Sequence, residues 1–215
     1  MDTISGVIVA IFVLTIVGSV TKLPDPNVNV SVEKEPVAST QTNPREIPVT
    51  GLSGEEGEHA FKGGYDENTQ SNIYNFIKKK AKTVKDNAAQ MMAENIIKYS
   101  QQYDVNPKIL TALIAAESKF NSQAVSRSGA QGLGQLLPST ARHLGVNDPF
   151  NIEENIMGTT RYFRSMLDRF KGYDPRVHFA LAGYKEGPNA VLKRGYYKSD
   201  SQSYIDLIMK YYSDI

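Results

Sequence analysis

One carboxylate in this sequence stands where a carboxylate is costly. At 100° per residue after Pro107, Ile109, Leu110, Leu113 and Ile114 form an apolar stripe, and Glu117 falls within about 10° of its centre. A carboxyl group held there loses hydration, which disfavours its charged form and raises its pKa. A carboxylic acid still protonated near neutral pH can act as a general acid, as the leaving oxygen of a glycosidic bond requires. A buried ion pair or a capped loop amide would account for the same residue without chemistry.

After Glu117 a loop runs to Pro138, with Gly129, Gly132 and Gly134 set among small and amide residues. Glycines let backbone approach a ligand closely. Gln131 and Gln135 offer donors and acceptors suited to hydroxyl and acetamide groups. The glycine patterns of nucleotide loops do not occur here. The next acidic residue after Glu117 is Asp148, beyond the whole loop.

Other chemistries are excluded or weakened by composition. The chain has 215 residues and no Cys, so disulfide scaffolds, thiolate zinc sites and Cys nucleophiles are out. His59, His143 and His178 are widely spaced, and no two sit at metal-ligand spacing, so neither metal nor cofactor is expected. Lys plus Arg is 24 against 23 Asp plus Glu, net +1, which argues against a strongly basic nucleic-acid binder.

The elements that must position Glu117 read as helices, because no segment sustains period-2 alternation and cap signals recur. Helices are predicted over residues 71–85 and 88–102, and from Asn106-Pro107 to Glu117 or Phe120. Others are expected from Pro138 or Ser139 to Gly145, over 155–170, from Asp174-Pro175 to about Tyr184, and over 189–193 and 203–212. Lys78, Lys79, Lys80, Lys82 and Lys85 read as a solvated helix face, with nucleic acid or lipid as the alternative.

Before residue 71 the chain changes character. Residues 3–21 carry no charge, and the apolar stretch that opens at Ile4 and closes at Val20 just reaches the length needed to cross a bilayer. A membrane segment over residues 1–21 is the expectation. A cleaved signal with Val17-Gly18-Ser19 as its site is the alternative, although Asp2 and the lack of Lys or Arg before the stretch are unlike a signal peptide. Residues 22–70 hold Pro24, Pro26, Pro36, Pro44 and Pro48 and then several glycines, the composition of a flexible, disordered linker. Residues 1–70 carry net charge −6 and residues 71–215 carry +7. The folded domain is expected over 71–215.

The order of motifs then carries a resemblance. The blocks are Glu117-Ser118-x-Phe120, Ala124-x-Ser126, and Gly129-Ala130-Gln131-Gly132-Leu133-Gly134-Gln135-Leu136-Leu137-Pro138-x-Thr140-Ala141. They continue with Asp148-Pro149-Phe150-Asn151-Ile152, Asn155-Ile156-x-Gly158-x-x-Tyr162, and Ala182-Gly183-Tyr184-Lys185-Glu186-Gly187-Pro188-x-Ala190-Val191. Over about residues 90–212 the chain resembles the lytic transglycosylases with a goose-lysozyme-like catalytic domain, and Tyr204 fits the family's closing segment. Gly134 and Leu137 stand where that family has methionines. Lys185 and Glu186 stand where it has the Asn and Ala of Ala-Tyr-Asn-Ala-Gly.

The resemblance implies a mainly α, lysozyme-like (goose-type) domain that cleaves the β-1,4 bond between N-acetylmuramic acid and N-acetylglucosamine in peptidoglycan. It implies that Glu117 protonates the leaving oxygen and then acts as base, while the muramyl C6 hydroxyl attacks C1 to give a 1,6-anhydro product. No second carboxylate is then needed, unlike the usual glycosidase pair. Ser126 would bond near the acid or the acetamide, Gln135 would line the site and Tyr184 would approach the acid. Gln131 and Asn151 complete the implied substrate-binding set. Two alternatives stay open: a muramidase in which Glu186 activates water across the cleft, and an inactive membrane-tethered peptidoglycan-binding module. The peptidoglycan substrate places the domain outside the inner membrane, in a bacterial envelope or a phage virion.

Overall fold

The computed structural model describes residues 67–215. The membrane segment expected over residues 1–21, and the linker as far as residue 66, lie outside the described residues. The described chain forms eight helices, α1(Glu67–Lys80), α2(Asp86–Tyr103), α3(Pro107–Ser118), α4(Pro138–His143), α5(Ile152–Arg169), α6(Arg176–Glu186), α7(Pro188–Arg194) and α8(Ser199–Ser213). No strand is present among the described residues; Val125, Gln131 and Leu136 form isolated bridges within the loop. No helix among them is long and apolar enough to cross a membrane.

Helix α3 is set by its ends. The Asn106 side chain accepts from the amides of Lys108 and Ile109, and Pro107 occupies the first turn, where its missing N–H costs nothing. At the other end Lys119 and Phe120 have φ of 53° and 63°. This left-handed stop turns the chain out of the helix just after Glu117. Phe120 is fully buried despite its strained backbone. The one-sided stripe expected for α3 is too narrow, because every residue from Ile109 to Ala115 is buried. Helices α1, α2 and α8 all pack on α3, and a helix buried on all sides is apolar all round. Its one buried hydroxyl, Thr111, bonds back to the Pro107 carbonyl at 2.7 Å.

Other boundaries differ modestly from expectation. Helix α1 begins at Glu67, inside the stretch read as linker, and stops at Lys80 because the chain turns through residues 81–85. There Lys78 reaches the Val84 carbonyl and Asp86. Helix α5 starts at Ile152 because Asn151 caps it, accepting from the Glu154 amide at 3.1 Å. At α6, Pro175 occupies the N-cap position rather than the first turn, and its own carbonyl accepts from the amides of His178 and Phe179. Helix α8 starts at Ser199, a turn before the expected Ser203. The core is one large cluster spanning α1, α2, α3, α5, α6 and α8, with a small second one of Leu136, Ala141, Leu144 and Val146 beneath α4.

Candidate active site

Glu117 sits in the last turn of α3, partly buried. The Tyr204 hydroxyl of α8 donates to Glu117 Oε1. The Lys185 ammonium of α6 lies 5.1 Å from the centre of the Tyr204 ring. Burial pushes the Glu117 carboxyl up to about 7, against the opposing Tyr204 bond and the positive charge of Lys185. The group is thus protonated for a large share of the time near neutral pH. Burial and the Glu117 charge raise both Tyr204 and Tyr184 well above the ordinary phenol value. Both phenols therefore remain donors.

The glycine loop fills the other side. Gly132 and Gly134 answer to packing within the protein rather than to ligand approach, whereas Gly129, at φ 80°, has open space around it. A Cβ on Gly132 would lie 2.0 Å from the Pro149 carbonyl oxygen, and one on Gly134 would lie 1.9 Å from Thr159 Oγ1. Both positions press the loop against α5 and the segment before it. Asn155, fully buried in α5, fastens this contact. Its Oδ1 accepts from the Gly134 amide at 2.8 Å and from Thr159 Oγ1 at 3.2 Å. Its Nδ2 donates to the carbonyls of Gln131 at 3.2 Å and Pro149 at 2.7 Å. The Tyr184 hydroxyl then donates to the Gly134 carbonyl at 2.7 Å, joining the loop to α6.

The residues implied to bind substrate divide into two groups. Tyr184 is buried between the loop and Glu117, and Gln131 is partly buried at the loop's two bridges. The other three are engaged, like the Tyr184 hydroxyl, but only within the loop or at the start of α5. Ser126 Oγ bonds Ser128 Oγ at 2.9 Å and accepts from the Ala130 amide at 3.0 Å. Gln135, at φ 50°, donates to the carbonyls of Ala124 and Gly132. Asn151 caps α5.

Glu186, the carboxylate considered for activating water, is committed to partners on α7 and α8. It accepts from Ser201 Oγ at 2.6 Å and the Lys198 amide at 3.0 Å, and it pairs with Arg194. Burial works against its charge, yet these bonds hold its carboxyl below the usual value. An open groove of about 390 Å³ runs between α4, α5 and the start of α7, past Thr140, His143, Tyr162, Ser165 and Arg169. The Tyr162 ring lies against that of Tyr184, tilted by 55° with centroids 4.9 Å apart, so the groove abuts the site. No group of three or more His, Asp or Glu among the described residues could hold a metal ion.

Sequence reasoning missed the contact of Tyr204 with Glu117, which bridges 87 positions and leaves no local spacing to detect. It also missed Asn155 and Thr159. Their signal was present: two polar side chains four apart on a helix face otherwise occupied by Ile156 and Phe163.

A helical domain with an acid at the end of its central helix, faced by a tyrosine and a glycine loop, defines a class that comparison with known proteins makes explicit. The family model of the Transglycosylase SLT domain matches residues 94–206, and the chain belongs to that family. It is 33% identical over 117 residues to the transglycosylase of Enterobacteria phage PRD1, covering 54% of this chain and 41% of the phage protein. It is 37% identical over 92 residues to membrane-bound lytic murein transglycosylase F of Marinobacter nauticus, covering 41% of this chain and 18% of that protein. The chain thus spans less than half the length of these relatives. The 70 kDa soluble lytic transglycosylase Slt70 of Escherichia coli has the same fold, with a TM-score of 0.51 at 20% identity over 68% of this chain and 28% of Slt70.

Proposed function

We propose that the protein is a peptidoglycan lytic transglycosylase and that Glu117 is its acid and base. The observation that carries this reading is a lone desolvated carboxyl whose pKa lies near 7, on the domain that the family shares. Protonated Glu117 gives its proton to the glycosidic oxygen as the bond to muramyl C1 breaks. The resulting carboxylate takes the proton of the C6 hydroxyl as that oxygen bonds C1. The product is a 1,6-anhydromuramyl end, and Glu117 is protonated again. Tyr204 supports the charged stage by donating to Oε1. Gln131 and Tyr184 face the sugar, whereas Ser126, Gln135 and Asn151 act by holding the loop and α5.

Two features favour this route over water attack. Lys185 is the charged group that acts on Glu117, and Glu186 is committed to Arg194, Ser201 and Lys198. Mass spectrometry of digested peptidoglycan tests the reading. Anhydro products, lighter by one water, are expected; only hydrated products would make the enzyme a muramidase. Glu117→Gln is expected to lower muropeptide release by about 10²–10⁴-fold. Release by neither would leave a binding module, and equal release by wild type and variant would exclude Glu117 as the acid.

The substrate places the domain's work outside the inner membrane. We read residues 4–20 as a membrane anchor for it. The reading fits a bacterial envelope enzyme and, with a phage relative at 33% identity, a virion enzyme for infection or lysis. Finding the intact N-terminal peptide in membranes, medium or virions separates these.

A further inference from the structure

Two of the three positions that depart from Ala-Tyr-Asn-Ala-Gly, Lys185 and Glu186, reach the same neighbour. Lys185 Nζ donates to the Asp200 carbonyl at 2.5 Å. Glu186 accepts from the Lys198 amide and the Ser201 hydroxyl. Lys198 is the N-cap of α8, and Asp200 and Ser201 belong to its first turn. Tyr204 follows one turn later and touches Glu117. No side chain of α8 caps its own N-terminus, so Glu186 supplies from α6 an acceptor that α8 lacks.

We infer that Lys185 and Glu186 are a pair of positioning residues, a clamp that fastens the first turn of α8 to the end of α6 and so holds the Tyr204 hydroxyl on Glu117. The consequence for chemistry rests on the proposed role of Glu117 as the acid. Asn and Ala at these positions could not build this clamp. Ala offers no acceptor to Ser201 or to the Lys198 amide, and Asn is shorter and carries no charge. Lys185 adds a second contact, its ammonium 5.1 Å from the Tyr204 ring, a cation–π arrangement that favours one ring position. Arg194 completes the clamp by pairing with Glu186.

The groups facing Glu117 are Tyr204 from α8 and Tyr184 and Lys185 from α6, with Tyr162 of α5 behind Tyr184. Those facing Lys185 are Asp200, Glu186 and Glu117. Removing the Lys185 charge therefore removes a favourable partner of ionised Glu117, and the carboxyl should hold its proton to higher pH.

The test uses the full chain with Lys185→Gln, Lys185→Arg, Glu186→Ala and Glu186→Gln. Hydrogen exchange reads the amides at the start of α8, and carbon NMR reads the Glu117 titration. Glu186→Ala should speed exchange there about tenfold, the effect of losing one hydrogen bond to a charged group. Glu186→Gln keeps an acceptor and should fall between Ala and wild type. Lys185→Gln should raise the Glu117 midpoint and move the alkaline limb of kcat/KM upward, while Lys185→Arg restores both. Unchanged exchange in both Glu186 variants, or an unmoved midpoint in Lys185→Gln, overturns the clamp. Exchange and titration need no turnover, so a chain that cleaves no glycan would sink the proposed activity and leave the clamp standing.

Discussion

The two walls that enclose Glu117 are built from different materials. The loop wall is neutral: Gly132 and Gly134 pressed on α5, with every polar atom of the Asn155 amide engaged. The wall of α6 and α8 is charged: Lys185, Glu186 and Arg194 gathered around the start of α8. A neutral, close-packed wall holds its shape across pH and salt. A wall of charges sets the proton affinity of the group beside it. The site thus divides its labour, with shape on one side and proton control on the other.

The strongest blow to this contrast should come from Asn155→Ala, which leaves the Gly134 amide and the Pro149 carbonyl without their buried partner. It should cost about 4 kcal/mol of stability, by about the same amount at pH 5 and pH 8. Urea unfolding at both values measures it, and a strong pH dependence would break the picture of a neutral wall.

Glu117 itself gives the next effect. Its carboxyl is raised in the folded protein, so the stability this protonation gives is full below the unfolded pKa near 4.5 and is lost as pH rises through about 7. Glu117→Gln, which cannot ionise, should therefore gain on wild type above pH 7 by about 3 kcal/mol and gain little at pH 4. The same titration predicts that cleavage by the wild type falls as pH rises past about 7, because the acid form is spent.

Smaller changes sharpen the contrast. Gly134→Ala drives a methyl group into Thr159 and should cost about 1–3 kcal/mol, displacing the carbonyl that holds Tyr184. Thermal melts beside Thr159→Ala/Gly134→Ala, which removes both Oγ1 and Cγ2, should show partial recovery. The smallest effect is that of salt. Raising NaCl to about 1 M shortens the screening length to about 3 Å; exchange at the start of α8 should quicken while exchange in the loop stays constant.

Much of this was legible in the sequence. The cap at Asn106-Pro107 and the apolar periodicity gave the helices, since these signals act within a turn of the residues they concern, whereas the resemblance assigns Asn151 to the substrate and its helix begins three residues before the expected start. Glu117 stood out because a charge among apolar positions is a local contradiction. The purpose of the glycines was not legible, because their partners, Pro149 and Thr159, come from another segment. Neither was the Tyr204 contact, which depends on how α8 packs against α3. The stripe on α3 understated its burial because periodicity describes one helix and not the number of helices that surround it.

The partner of the acid comes from the helix made after all the others described. While a ribosome is still extending the chain, Glu117 can already end a finished α3, yet nothing stands opposite to receive its hydrogen bond. The pairing of acid and phenol is therefore completed only when that final helix docks, and a chain stopped before Ser199 would carry Glu117 without the hydrogen bond from Tyr204.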